Sequence, residues 1–441
     1  MSWRACLRGG LWARAGATYT IKLARVPPAT PSVAAATSAT VRADLAVVGG
    51  GVVGMSCAWA AAEAGMSVAL VDPSPGSGAS GVAAGMLAPA TESQFTEAEL
   101  SKANVASLAM WPLFAERLER RSRSEVGLRT EGTLVVAAGP PDRPVVEQAR
   151  TFLAETGFAV IRLSSRELRA MEPSLSSAAG AFAVPGDLQV DNRALLSALQ
   201  AALAESGVVT VRSKVAALEW RDGAVVGATT LGGTSVEAAT VLLAAGAWST
   251  GIGQLPAPLP LRPVKGHILR LEGDPAKPLL SHTVRAVVSG RACYLVPRAD
   301  GSVVVGATME DRGFDGRLMA GAVGDLLEDA RTLVPALGET ALAEASVGFR
   351  PGSPDNAPLV GRWHADGLLV ACGHHRNGIL LAPLTADAIL ATLEGSEPPP
   401  AAAAFDPSRP AVAAVRRKVA SPPPSPVAGA GRNTDREMSV G

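Results

Sequence analysis

Residues 44–48 form a short apolar run, and it ends on Gly49-Gly50-Gly51-Val52-Val53-Gly54. An apolar run of this length reads as a buried strand. Residues 52–64, rich in small side chains, read as a helix stopped by Gly65. Residues 67–71 form a second apolar strand, which ends at Asp72. Strand, glycine turn, helix and strand make a βαβ unit, and that commits the chain to a parallel sheet. Gly49 permits the tight turn, Gly51 lets a pyrophosphate approach the backbone, and Gly54 lets helix and strand pack closely. Val52 and Val53 open the helix, whose first N–H groups lack intrahelical acceptors and whose dipole presents its positive end. Asp72 lies 18 residues past Gly54, where a carboxylate accepts from both ribose hydroxyls and repels a 2′-phosphate. The unit reads as a dinucleotide cradle. On these residues alone, NAD and FAD both stay open.

The same region sets a membrane trap. Residues 45–62 carry no charge over 18 positions, the length of a spanning helix. Four glycines interrupt them, three in a row, so the stretch reads as strand, turn and helix instead. Net charge over the 441 residues is zero, which leaves no basic surplus to draw nucleic acid. The four cysteines, Cys6, Cys57, Cys293 and Cys372, follow no metal or redox spacing and read as reduced thiols.

Residues 1–43 contain no Asp or Glu but carry Arg4, Arg8, Arg14, Lys22, Arg25 and Arg42 among many hydroxyl side chains. That is the composition of an organellar transit peptide, assigned here to residues 1–42. Arginines interrupt the apolar stretch that a secretory signal needs. A plastid destination is expected, with the mitochondrion as the alternative.

Farther along, residues 96–121, 143–156, 191–206, 318–333 and 377–393 read as helices. Residues 241–245, closed by Gly246, read as another buried parallel strand, as do segments around 347, 359–360 and 368–371. Between 261 and 306 the pattern turns to longer strands broken by turns, which reads as antiparallel sheet. The expected architecture is therefore α/β with two interleaved domains. Residues 43–95, 187–255 and 345–395 would build the dinucleotide domain, and 96–186 with 256–344 the second domain. From 396 to 441 the chain turns to Pro, Ala and Ser and is expected to be disordered.

Further motifs narrow the choice of cofactor. Ser80 precedes Gly81-Val82-Ala83-Ala84-Gly85-Met86-Leu87-Ala88-Pro89. Later come Pro263-Val264-Lys265-Gly266, Tyr294-Leu295-Val296-Pro297-Arg298 and Gly306-Ala307-Thr308-Met309. Gly348-Phe349-Arg350-Pro351-Gly352 and Gly373-His374-His375-Arg376-Asn377-Gly378-Ile379-Leu380-Leu381-Ala382-Pro383 complete the series. In order and spacing these segments resemble the D-amino-acid oxidase superfamily, in particular its glycine-oxidase branch, tied to thiamine biosynthesis.

The resemblance implies a glutathione-reductase-type FAD-binding Rossmann domain interleaved with an antiparallel-sheet substrate domain. It implies FAD as the cofactor. Val215 would contact the adenine through its backbone, Ala245 and Gly246 would close the flavin site, and Gly85 and Met86 would run beside the flavin ring. Arg376, Asn377, Gly378 and Ile379 would contact its pyrimidine end, with the last helix aimed at it. Arg350 matches the family arginine that forks onto the substrate carboxylate, a geometry suited to two parallel charge-assisted bonds. Tyr294 matches the tyrosine that assists it. The plain alternatives are a surface salt bridge for Arg350 and a half-buried strand position for Tyr294. His374 and His375 read as loop residues without a catalytic role; Met86 and Met309 could line the pocket, against the plainer reading of methionine as core filler.

The implied reaction is oxidation of glycine, or another small amino acid or secondary amine, to an imine that hydrolyses to a 2-oxo acid and ammonia. Oxygen would then take the electrons as hydrogen peroxide. A homotetramer is implied by resemblance only. Gly348 stands where sarcosine oxidases carry a flavin-linking cysteine, and Val304 where they carry a lysine, so non-covalent FAD is expected. A quinone-linked D-amino-acid dehydrogenase and a flavin-binding protein without turnover are the other readings. Asp72 replaces a commoner glutamate. Phe349 replaces a commoner leucine, a change expected at the pocket floor.

Overall fold

In the computed structural model, residues 39–414 are described. β1 (Thr40–Val48) begins half exposed and ends in four buried residues. It lies between β2 (Val68–Val71) and β11 (Ser235–Leu243), parallel to both. β8 (Val209–Val211) extends the sheet beyond β2, and β18 (Leu368–Cys372) and β17 (Leu359–Arg362) extend it beyond β11. β9 (Val215–Arg221) and β10 (Ala224–Thr230) continue from β11 as an antiparallel meander. One face of this sheet buries Leu45 and Val47 under helices α1 (Val52–Glu63), α3 (Ala98–Ser122), α6 (Asn192–Glu205) and α8 (Ala382–Glu394). The other face buries Ala46, Val48 and Leu243 with Leu218, Ala228 and Trp363.

The second sheet runs in the order β16 (Leu342–Gly352), β12 (Arg262–Leu271), β15 (Val303–Gly306), β14 (Arg291–Pro297), β13 (Thr283–Val288), β4 (Thr133–Ala137), β6 (Gly180–Val184), β5 (Ile161–Leu163). Its pairings are antiparallel except for β13 with β4, which is parallel. Helix α7 (Ala320–Leu333) covers the outer face over Leu269, Leu295 and Val305. Helix α4 (Arg143–Glu155) packs on Phe182 and Val184 at the far end, and α5 (Ser165–Met171) adds Leu168 to the outer core. The inner face looks toward α2 (Ala79–Val82) and the small ribbon of β3 (Met86–Leu87) with β7 (Leu188–Gln189). The architecture is α/β, a parallel dinucleotide-binding sheet interleaved with a largely antiparallel one.

The structure corrects several boundaries. β16 belongs to the second sheet, pairing with β12 along its length, although residues 345–352 were expected in the first domain. Its residues are almost uniformly half-buried and gave no sign of which sheet would claim it. Helix α3 was expected in the second domain but packs on the first core, where Trp111 and Leu118 are fully buried and Trp111 donates from its indole N–H to the Leu380 carbonyl at 2.9 Å. Residues 40–42, counted with the leader, are strand: they pair in register with residues 235–237, and Arg42 meets Glu237 at 3.0 Å. Residues 1–38 of the transit-peptide assignment, Cys6 among them, lie outside the described residues.

Helix α8 starts at Ala382, not at residue 377. Pro383 has no N–H to return to Ile379, so the helical ladder begins one turn later than the apolar pattern does. The tail is ordered in part. Residues 400–405 form a 3₁₀ turn whose Phe405 is fully buried in the first core. Arg409 grips Asp355 at 2.7 Å and donates to the Ala357 and Pro358 carbonyls. A Pro- and Ala-rich average hid two anchoring side chains. Residues 415–441 lie outside the described residues. Among the described residues no helix is long and apolar enough to cross a membrane.

Phe405→Ala should cost about 3–5 kcal/mol, the usual loss for emptying a buried aromatic site. Thermal unfolding of the purified protein measures it; an unchanged Tm would remove residues 400–405 from the folded unit.

Candidate active site

A cavity of about 640 Å³ opens between the C-terminal ends of β1 and β11 and the inner face of the second sheet. That is where ligands bind in open α/β sheets. Its first end is the glycine turn. Gly49 has φ +115°, a conformation open to glycine, and a Cβ there would run into the Ala244 carbonyl. A Cβ on Gly54 would strike the Gly49 carbonyl and lie 3.2 Å from the Ala244 methyl. Gly54 thus sits behind the turn, holding α1 against it, while Gly49, Gly51, Val52 and Val53 form the cavity wall. Ser80 Oγ accepts from the Val52 N–H at 3.0 Å, marking the helix N-terminus as a place for oxygen acceptors. Asp72 accepts from the Gly50 N–H and the Ser74 N–H, both at 2.7 Å, and each carboxylate oxygen keeps a lone pair for a ribose hydroxyl. Val215, Ala245 and Gly246 complete this end.

The middle is lined by Gly85 and Met86 on one side and by residues 374–379 on the other. Gly85 has φ +74°, and a Cβ there would collide with the Val190 carbonyl. Arg298, buried, donates to the Ala84 carbonyl at 2.6 Å and pins this wall from behind. The opposite loop is tied to β16: the His375 N–H donates to the Pro351 carbonyl at 2.9 Å, and His374 bridges to Gly352. Arg376, Asn377, Gly378 and Ile379 all face the cavity. Arg376 is ion-paired with Glu92 at 2.9 Å and with Glu97. Buried Asn377 Nδ2 has no partner among the described residues, a donor suited to a carbonyl-bearing ring. Burial pushes the His374 imidazole down to about 3. Burial, then Arg376 and Arg350, do the same to His375, also to about 3. Both rings are neutral at ordinary pH.

The far end is built on the inner face of the second sheet. Gly266 and Gly348 pair across β12 and β16, and Gly306 pairs with Tyr294 across β15 and β14. Three missing side chains leave a trough, and two functional groups lie in it. A Cβ on Gly266 would overlap the Arg350 guanidinium, and one on Gly306 would overlap the Tyr294 ring. Arg350 donates to the Thr308 carbonyl at 3.2 Å, and among the described residues no acid is ion-paired with it. The other two arginines on the cavity wall are neutralised, Arg285 by Glu92 and Arg376 by Glu92 and Glu97. Burial raises the Tyr294 phenol above its ordinary value while Arg350 pulls it back, so it remains a hydrogen-bond donor. Burial also pushes Glu92 up, but Arg285 and Arg376 more than reverse this and hold it ionised.

The residues expected at the site from sequence meet at this one cavity, Gly54 excepted, which supports it from behind. The sequence reading missed the Glu92–Arg285–Arg376–Glu97 cluster. Its members lie up to 284 positions apart, and only the pairing of folded segments brings them together. Met309 is 61% exposed at the rim. Phe349 lines the cavity together with Trp248 and Phe314: it stands edge-on to Trp248, centroids 6.0 Å apart, and packs on Phe314. Val304 is fully buried beneath the trough, and a side chain at Gly348 would press on Val82 at 3.3 Å. Cys57, Cys293 and Cys372 are buried, and burial pushes Cys293 and Cys372 up to about 12. Among the described residues no group of His, Cys, Asp and Glu could hold a metal ion.

Residues 44–392 match the pattern of the family described as FAD-dependent oxidoreductase (DAO). The chain is 36% identical over 354 residues to a glycine oxidase of Geobacillus kaustophilus, covering 78% of this chain and 91% of that protein. It is 34% identical over 370 residues to the bifunctional protein ThiO/ThiG of a Synechocystis species, covering 83% of this chain and 54% of that protein. The chain therefore spans about half the length of that bifunctional relative. The crystal structure of the Geobacillus kaustophilus glycine oxidase superimposes with a TM-score of 0.77 at 34% identity, covering 84% of this chain and 99% of that one.

The glycine turn, with no room for a side chain at Gly49 or Gly54, fits the pyrophosphate of FAD. Gly54→Ala forces the turn open against backbone. Its affinity for FAD should fall by about tenfold or more, a loss of at least about 1.4 kcal/mol, and its flavin content, read from the absorbance of purified protein, should fall with it. Full flavin occupancy would show that this contact does not shape the cradle.

Proposed function

The chain belongs to the FAD-dependent oxidoreductase family, and we propose that within it the protein is an amine oxidase that takes glycine as its principal substrate. FAD is its cofactor. Gly348 offers no thiol to the flavin, which supports non-covalent binding. The observation that carries the substrate reading is Arg350: a cavity arginine seated over Gly266, unpaired with any acid among the described residues, beside the donor Tyr294. A fixed guanidinium fork of that kind selects a carboxylate.

The chain's own groups then have plain tasks. Arg350 binds the substrate carboxylate and sets its orientation, and Tyr294 donates a further hydrogen bond to it. Holding the amine-bearing carbon in one pose supplies much of the rate. His374 and His375, with pKa values held near 3 by burial, are poor bases at neutral pH, so the amine must enter deprotonated or lose its proton to solvent. When bound, the flavin ring is the two-electron acceptor, later relieved by oxygen as hydrogen peroxide. The imine hydrolyses to glyoxylate and ammonia. A sarcosine-oxidase-like enzyme is disfavoured by Gly348 and Val304, and a quinone-linked dehydrogenase would release no peroxide.

Similarity to proteins whose name joins ThiO and ThiG supports a role in thiamine biosynthesis, with the oxidation product feeding thiazole assembly. The acid-free, arginine-rich leader supports import into the plastid, with the mitochondrion as the alternative. A homotetramer is part of the same reading, and light scattering on the purified enzyme tests it.

Arg350→Ala should raise the KM for glycine by about a hundredfold while FAD stays bound, the scale for truncating one partner of a buried charge pair. An unchanged KM sinks the carboxylate assignment. Glycine, sarcosine, D-alanine and D-proline, compared by peroxide release, rank the substrates; a purified yellow protein that releases none with any of them overturns the oxidase reading. A fluorescent fusion to residues 1–42 should enter plastids, and diffuse cytosolic signal would reject the leader.

A further inference from the structure

The edge of the trough is made by an interruption in the second sheet. β15 pairs with β12 as far as Gly306, opposite Ile268, and pairing resumes where Lys265 and Glu310 exchange two backbone bonds at 2.9 Å. Between those points the His267 N–H finds no backbone acceptor. It donates instead to the Thr308 hydroxyl at 3.0 Å. Thr308 replaces the missing ladder bond with its side chain, and its carbonyl is left to accept from Arg350.

The His267 side chain, fully buried, holds the same segment at both ends. Its Nε2 accepts from the Met319 N–H at 3.1 Å, which places the ring proton on Nδ1. That N–H points at Thr308 Oγ1 and Glu310 Oε1, each 2.9 Å away, and the Thr308 hydroxyl in turn donates to Glu310 at 2.9 Å. Lys265, also fully buried, donates to the Arg317 carbonyl at 2.7 Å and closes the middle of the segment. None of these groups touches the substrate end of the cavity except through the Thr308 carbonyl.

We propose that Thr308 and His267 are positioning residues for the substrate carboxylate: the Thr308 carbonyl fixes the rotation of the Arg350 fork, and His267 fixes Thr308. This rests on the reading of Arg350 as the carboxylate site. An arginine fork works only when both N–H bonds are aimed together, so a carbonyl on one nitrogen sets the plane of the other pair.

The test uses the FAD-loaded full chain and two readouts, glycine turnover and the binding of acetate, an inert carboxylate, followed by the flavin spectrum. His267→Gln keeps an acceptor near the Nε2 position but loses the donor toward Thr308. His267→Asn keeps a donor near Nδ1. Thr308→Ala and Thr308→Ser make the same contrast at the hydroxyl. His267→Gln and Thr308→Ala should each raise the KM for glycine and the Kd for acetate about tenfold with kcat nearly unchanged, the signature of lost ground-state binding. His267→Asn and Thr308→Ser should stay within about threefold. Acetate affinity equal to wild type in His267→Gln and Thr308→Ala overturns the proposal. So does equal loss in both members of a pair, which marks a merely structural role. If either His267 variant fails to fold, the Thr308 pair decides alone. A wild-type holoenzyme that binds acetate but does not oxidise glycine would refute the proposed activity and leave the positioning claim to stand or fall on the acetate titration.

Discussion

Between the glycine turn and the end of β11 there is no room for a methyl group. Gly49 lies against the Ala244 backbone, and Gly54 lies against Gly49. This contact sets how closely α1 approaches the sheet, and so where its N-terminus points. The cavity begins where that helix end meets β11, and Ala245 and Gly246 follow directly from the same strand. Moving α1 outward by the width of a side chain would dissociate the cradle from the wall that completes it. The first sheet is thus organised around one steric constraint rather than around a particular polar bond.

The second sheet uses the absence of side chains differently. Gly266, Gly306 and Gly348 sit on its inner face among larger residues; Arg350 fills the space at Gly266 and Tyr294 that at Gly306, while Gly348 faces Val82. Both side chains are long, and both would cost conformational entropy to hold still if they stood free. Lying in a trough, they are restrained by packing before any ligand arrives. Electrostatics complete the arrangement: Glu92 and Glu97 offset Arg285 and Arg376, so of the three arginines on the cavity wall Arg350 alone has no acid paired with it among the described residues.

Much of this was legible in the sequence because it is local. The turn, its helix, Asp72 and the motif around Arg350 each declare themselves within a few residues. What was not legible depended on distant pairing. β16 reads the same whether it joins the first sheet or the second, and its place is decided by β12, some eighty positions earlier in the chain. Helix α3 is amphipathic either way, and only the folded chain shows Trp111 meeting Leu380. The Glu92 cluster joins segments that carry no common pattern. The tail misled for another reason: its composition is that of a disordered segment, yet Phe405 and Arg409 suffice to fasten it.

The link between β16 and the loop at 374–379 has a mechanical consequence. Arg350 and the residues expected beside the flavin pyrimidine belong to different sheets, but Gly352 bridges to His374 and the Pro351 carbonyl receives the His375 N–H. The anchor for the substrate and the edge of the redox ring are thereby mounted on one joint. Any displacement of β16 would therefore be passed to the loop at 374–379 through these backbone contacts.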